Sequence, residues 1–207
     1  MSPSPSVLVV DLETSALDEQ RGSILQIGAV WLIGGPEDPD LHEFEIDCRA
    51  RDSALIEDKA LEVNGCTLAR CHNPALPDEC QALALFADWI VQCVGAGSKV
   101  ILAGLNPGFD LRWLTACQQR AQFPIRLPFP HRTIDLHTLA ISYAIAAESH
   151  IPRRGFYTDE IYQLLDLPPE PKPHRALVGA RAEAEALRIL MGLPNHLAIC
   201  GLAESVG

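Results

Sequence analysis

Val7-Leu8-Val9-Val10-Asp11-Leu12-Glu13-Thr14 is the stretch that decides how this chain reads. An apolar, mostly β-branched run leads straight into two carboxylates spaced i, i+2. Such a run is expected to form a buried strand. Side chains alternate faces along a strand, so Asp11 and Glu13 point the same way. Two carboxylates on one face at a strand end repel each other unless a cation sits between them. Mg²⁺ and Mn²⁺ favour oxygen ligands of this kind. These residues leave two readings open: a metal-dependent enzyme, or a strand ending in a polar turn with both acids solvated.

Outward from this strand the pattern alternates between strand and helix. Ile24 to Ile33 reads as a second strand closed by Gly34-Gly35-Pro36, and Leu41 to Cys48 alternates like a half-buried hairpin strand. A short helical turn is expected around Ile56 to Val63, ended by Asn64-Gly65. Residues 79–94 carry an apolar stripe through Ala82, Leu85, Phe86, Trp89, Ile90 and Cys93, which makes them a helix with Trp89 in the core. Lys99 to Ala103 is a buried strand. Helices are expected over Asp110–Gln119, Asp135–Ala147, Thr158–Leu167 and Arg175–Met191. A hairpin followed by βα units predicts an α/β fold, a mixed sheet flanked by helices.

Two further stretches carry chemistry. In Gly104-Leu105-Asn106-Pro107-Gly108-Phe109-Asp110 the Pro-Gly forces a turn, and Asp110 opens a helix where the macrodipole favours a carboxylate. Asp110 is then either a helix cap or a third acid facing Asp11 and Glu13 across the strand ends, where α/β sheets place their sites. In Pro173-His174-Arg175-Ala176, His174 stands just before the last long helix. It has the ionisation range of a general base, and the Pro168–Pro173 approach would let it swing over a substrate.

Composition narrows the class. The chain has 207 residues and a net charge of −11, which argues against broad binding along a duplex but not against gripping a strand end through metal ions. No apolar stretch reaches the ~18 residues of a membrane helix. Met1 to Ser6 has no basic region before an apolar one, so it reads as a short leader rather than a secretory signal, and a cytoplasmic setting is expected. The 7 cysteines are odd in number and irregular in spacing. Cys66, Cys71, His72 and Cys80 fit no standard zinc spacing, so reduced thiols are expected.

Together these stretches resemble the DEDDh 3′→5′ exonucleases, the family of bacterial proofreading subunits and ribonuclease T. Asp11-Leu12-Glu13-Thr14 is similar to the family's first motif, Asn106-x-x-Phe109-Asp110 to the second, and His174-x-Ala176 to the third. Ala60 to Gly65 resembles the family's linker between hairpin and helix. The resemblance covers residues 6–192, with 1–5 as leader and 193–207 as tail. It implies a ribonuclease H-like, five-stranded mixed sheet and metal-dependent hydrolysis at the 3′ end of single-stranded DNA or RNA. It implies Mg²⁺ or Mn²⁺ held by Asp11, Glu13 and Asp110, with His174 as base and Thr14 and Asn106 on the terminal nucleotide. Leu17 is placed against the base or as a loop anchor. Arg112, Arg153, Arg154, Lys172 and Arg175 are placed along phosphates or on a solvated face. A polymerase or other protein partner and a homodimer are compatible with the resemblance.

One position departs from the pattern. The family's last aspartate, five residues after the histidine, corresponds here to Gly179. Three accounts stand side by side: an inactive relative, a one-metal enzyme, or replacement of the ligand by Glu183 one helical turn on. A catalytically inactive nucleic-acid- or partner-binding module is the alternative function. A phosphatase or nucleotide-binding enzyme ranks low, because neither Gly-x-Gly-x-x-Gly nor a Gly-Lys-Ser/Thr loop occurs.

Overall fold

The computed structural model describes residues 5–121, 124 and 126–194. Its sheet has five strands in the order β3-β2-β1-β4-β5. β1 (Ser6–Thr14) is central, antiparallel to β2 (Ile24–Ile33) and parallel to β4 (Val100–Gly104). β3 (Glu43–Asp47) completes the antiparallel side, and β5 (Ile134–Asp135) pairs parallel with β4. The helices are α1 (Asp58–Asn64), α2 (Leu68–Cys71), α3 (Glu79–Val94), α4 (Pro107–Arg120), α5 (Leu136–Ala146), α6 (Thr158–Leu164) and α7 (Ala176–Leu190). This is the α/β arrangement expected from the sequence, a five-stranded mixed sheet flanked by helices.

Strand alternation sorts β1 into two cores. Leu8, Val10 and Leu12 face the layer of α3 and α4, where Trp31, Phe44, Phe86 and Trp89 pack as an aromatic cluster. Val7 and Val9 face the opposite layer with Ala180, Ala184 and Leu187 of α7. Asp11 and Glu13 continue that second series, so the acids lie on the face that α7 covers. On the first side Glu79 is buried at the start of α3. It accepts the Ile24 N–H at 2.9 Å and pairs with Arg120 of α4 at 2.9 Å, tying β2, α3 and α4 together.

Gly28 lets α7 approach the sheet. A Cβ on Gly28 would stand closer than 3.0 Å to backbone atoms of Ala176 and Leu177. The Ala176 N–H reaches Gln26 Oε1 at 3.4 Å, and Arg175 pairs with Glu45 on β3 at 3.0 Å. Arg181 forms a second clamp on Glu43.

Several boundaries differ from the sequence reading. α4 begins at Pro107, with Asn106 as its cap in the left-handed region (φ 52), so Asp110 lies inside the first turn rather than opening the helix. Asp135 closes a two-residue strand before its carboxylate caps α5. β3 starts at Glu43, because a 3₁₀ turn takes Pro39–Leu41. α6 ends at Leu164, and the short α2 had no pattern to announce it. The 193–207 tail lies almost wholly outside the described residues, as does Cys200.

Candidate active site

The acids of the first two motifs, Asp11, Glu13 and Asp110, lie near the C-terminal end of β1. The backbone amides of Leu12 and of Asp110 itself act on the Asp110 carboxyl and favour its ionised form, which places that carboxyl against the end of β1. Glu183 enters from α7 and is only 6% exposed. Its Oε2 accepts the Leu105 N–H at 3.0 Å at the end of β4. Glu183 is therefore not a solvated helix residue. A further acid was not marked in the sequence: Glu170, in the segment before α7, with its side chain 9% exposed. Its Oε1 lies 3.3 Å from His174 Nδ1.

The electrostatics follow from this crowding. Burial, and then the charges of Glu183, Asp110, Glu13 and Glu170, hold the Asp11 carboxyl well above the usual carboxylate range. Burial followed by Glu170 pushes Glu13 up to about 7, against the pull of Arg175. Burial pushes Asp110 up to about 8, against its backbone hydrogen bonds. Glu183 is raised chiefly by burial and then by Asp110, and Glu170 by burial and then Asp159. Among the described residues, no lysine or arginine forms an ion pair with Asp11, Glu13, Asp110 or Glu183. Carboxylates gathered without a cationic partner are a hard-oxygen donor set of the kind Mg²⁺ or Mn²⁺ takes, although among the described residues the one trio of ligand atoms within 4.8 Å of one another is Glu79, Cys80 and Cys117.

A pH dependence follows. Glu13 and Asp110 hold their protons to about 7 and about 8 in the folded chain, against 4.5 and 3.8 in the free groups. The folded state therefore binds more protons than the unfolded state between those limits. The associated stability is full below the lower limits and is lost as pH rises through the upper ones. In chelator the chain is expected to melt higher at pH 5 than at pH 8, by on the order of 5 °C. Mg²⁺ or Mn²⁺ at pH 8 should recover the loss. A scanning-calorimetry series in which chelated protein melts higher at pH 8 would refute this.

The remaining site candidates are placed as follows. Thr14 Oγ1 donates to the Ala16 carbonyl at 2.9 Å, and Thr14 O accepts from Asn64 Nδ2 at 3.2 Å, so α1 docks on the end of β1. Asn106 is exposed; its backbone N–H bonds Asp135 Oδ1 at 3.1 Å and its side chain makes no hydrogen bond among the described residues. His174 is tied down rather than free to swing: its N–H bonds the Val63 carbonyl at 3.1 Å and its ring faces Glu170. Leu17 is 80% exposed, so it anchors no loop and offers an open apolar surface beyond the acids. Arg175 and Arg154 are committed to Glu45 and Glu160. Cys66 faces Cys71, and Cys80 faces Cys117, so Cys66, Cys71, His72 and Cys80 do not converge on a zinc site.

Glu170 escaped notice because Pro168-Pro169-Glu170-Pro171-Lys172-Pro173 reads as a solvated linker. The available signal was indirect: a missing acid at position 179 invites a search for another nearby.

No protein-family model matches the chain. The PolC-type DNA polymerase III of Thermotoga maritima is 27% identical over 197 residues, 95% of this chain and 13% of that protein. Ribonuclease T of Vibrio vulnificus is 32% identical over 144 residues, 64% of this chain and 63% of the relative. The chain thus spans less than two thirds of the length of these curated relatives. The nuclease domain of 3′hExo, a DEDDh family member bound to rAMP, matches with a TM-score of 0.66 and 16% identity, over 92% of this chain and 94% of that one. Exonuclease I matches with a TM-score of 0.69 and 15% identity, over 94% of this chain and 42% of that one. In sequence the chain is similar to ribonuclease T and to PolC-type DNA polymerase III, and in fold it is similar to the nuclease domain of 3′hExo and to exonuclease I.

Proposed function

We propose that this protein is a metal-dependent 3′→5′ exonuclease that hydrolyses phosphodiester bonds at the 3′ ends of single-stranded DNA or RNA. The observation that carries the reading is that Asp11, Glu13, Asp110 and Glu183 lie within reach of one another's charges near one strand end, with no lysine or arginine ion-paired to them among the described residues. Asp11, Glu13 and Asp110 are the residues that would hold Mg²⁺ or Mn²⁺, with Glu183 alongside. When bound, such ions supply Lewis acidity that stabilises the attacking and leaving oxygens.

The chain's own residues account for the rest. Glu170 faces His174 Nδ1 and so favours the tautomer with its proton there. That leaves Nε2 to take the proton of the attacking water. Thr14 and Asn106 are the proposed contacts to the terminal nucleotide, and Leu17 offers an exposed apolar surface for its base. The reading includes a domain over residues 6–192, a cytoplasmic setting and action beside a polymerase or as a homodimer. Among the described residues no helix is long and apolar enough to cross a membrane.

The test is a time course on a 5′-labelled single-stranded DNA oligonucleotide and its RNA twin, with Mg²⁺, Mn²⁺ or chelator. A metal-dependent ladder from the 3′ end is expected, and its relative rates name the sugar preference. Single-strand binding without any ladder would instead favour a non-catalytic binding module. His174→Ala is expected to lower kcat by about 10²–10⁴-fold with little change in KM, as loss of a general base does. A kcat within twofold of the native value would remove His174 from that role.

A further inference from the structure

A side chain at position 179 would require the Asp11 and Glu170 carboxyls to shift. A Cβ there would lie closer than 3.0 Å to Asp11 Oδ2, at 3.0 Å from Asp11 Cγ and at 3.2 Å from Glu170 Oε1. The place where the side chain of an aspartate at 179 would begin is thus flanked by two carboxyls from other parts of the chain. One is Asp11 itself. The other comes from the proline-rich segment between α6 and α7.

Glu170 is positioned, not trailing. Its carboxyl is almost wholly enclosed, and its charge acts on Asp11, Glu13 and Glu183. Its segment is pinned at the far end, where His174 N–H bonds Val63 O and a Cβ on Gly65 would collide with Pro173. Among the described residues its one ion-pair partner is the His174 ring. Glu183 is less suited to the same task, because its Oε2 is engaged by the Leu105 N–H and abuts Gly104 at the end of β4.

We infer that Glu170 supplies, from the proline-rich segment, the metal-binding carboxylate that Gly179 lacks, opposite Asp11 and beside His174. The glycine and the glutamate are then two halves of one exchange: removing the side chain from α7 opens the space through which Glu170 reaches Asp11. This inference rests on the proposed metal-dependent reading. It also predicts that Gly179→Asp does not restore a fourth ligand but displaces Asp11 and Glu170.

The test is Mn²⁺ titration of the full chain, followed by the electron paramagnetic resonance signal of free Mn²⁺, for the native protein, Glu170→Gln, Glu183→Gln and Asp11→Asn. Glu170→Gln keeps the shape and hydrogen-bonding reach and removes the charge. It is expected to bind Mn²⁺ at least about 10-fold more weakly than the native chain, the smallest loss typical of damage around a metal site. A residue that only oriented His174 would alter the pH profile of turnover and leave Mn²⁺ affinity unchanged. Native-like affinity and stoichiometry in Glu170→Gln, with binding lost in Asp11→Asn, overturns this inference and leaves the proposed function standing. A native chain that binds no Mn²⁺ overturns both. Should Glu170→Gln fail to fold, Glu170→Asp keeps the charge and shortens the reach; weakened Mn²⁺ binding supports the assignment and unchanged binding overturns it.

Discussion

Asp11→Asn is expected to lower hydrolysis by at least about 10³-fold, equivalent to ~4 kcal/mol of transition-state stabilisation, and to make the metal-free chain more stable. Both effects have one cause. Asp11 lies among Glu183, Asp110, Glu13 and Glu170, whose charges all oppose its ionisation. With metal, that density of charge is what binds the ion. Without metal, it is repulsion in a poorly solvated cleft, and asparagine removes one member at almost constant volume. At pH 8 in chelator the gain is expected to be about 1 kcal/mol or more, roughly 2–4 °C in Tm for a chain of this size. At pH 5, where Glu13 and Asp110 are protonated, the gain should shrink. Thermal unfolding of both proteins at the two pH values, beside an oligonucleotide assay, measures each half. A variant that melts lower than the native chain in chelator at pH 8 would show that the acids are not in conflict.

Gly28→Ala is expected to cost about 3 kcal/mol, the upper end of the usual range for overpacking, or roughly 6–12 °C in Tm. Most small-to-large changes are softened by a side chain that moves aside. Here the obstructing atoms are the backbone of Ala176 and Leu177, and none of them can rotate away. The start of α7 has to lift from β2 as a body. That movement carries Gly179 and Glu183 away from Asp11 and weakens the Arg175–Glu45 and Arg181–Glu43 clamps. Activity should fall with stability, although residue 28 touches no substrate. Denaturant unfolding measures the loss, and a variant within about 0.5 kcal/mol of the native chain would mean that α7 docks less tightly than the structure implies.

How far the sequence could be read depended on the range of the interaction involved. β2 was legible to the residue, because a ten-residue run with nine buried positions, ended by Gly34-Gly35, leaves little choice. β5 was not, because two residues carry no period and their pairing with β4 is set by distant chain. Asp110 was readable as an acid beside a turn. That its carboxyl stands against Leu12 and near Glu13 is decided by the packing of α4 against β1. Glu183 could be placed on the same helical face as Gly179, yet its burial depends on the end of β4, far away in sequence.

The sequence by itself determined the α/β order of elements, the shared face of Asp11 and Glu13 and the two other motif positions, because strand and helix periods are local and survive in a string of letters. Only the tertiary structure decided how many carboxyls converge and from where. Glu170 lies in a proline-rich run with no period at all, and its nearness to Gly179, His174 and Asp11 exists because α7 is pressed onto Gly28 and the segment before it is pinned to α1. Charge density at a site is a sum over neighbours in space, and sequence spacing does not encode that sum.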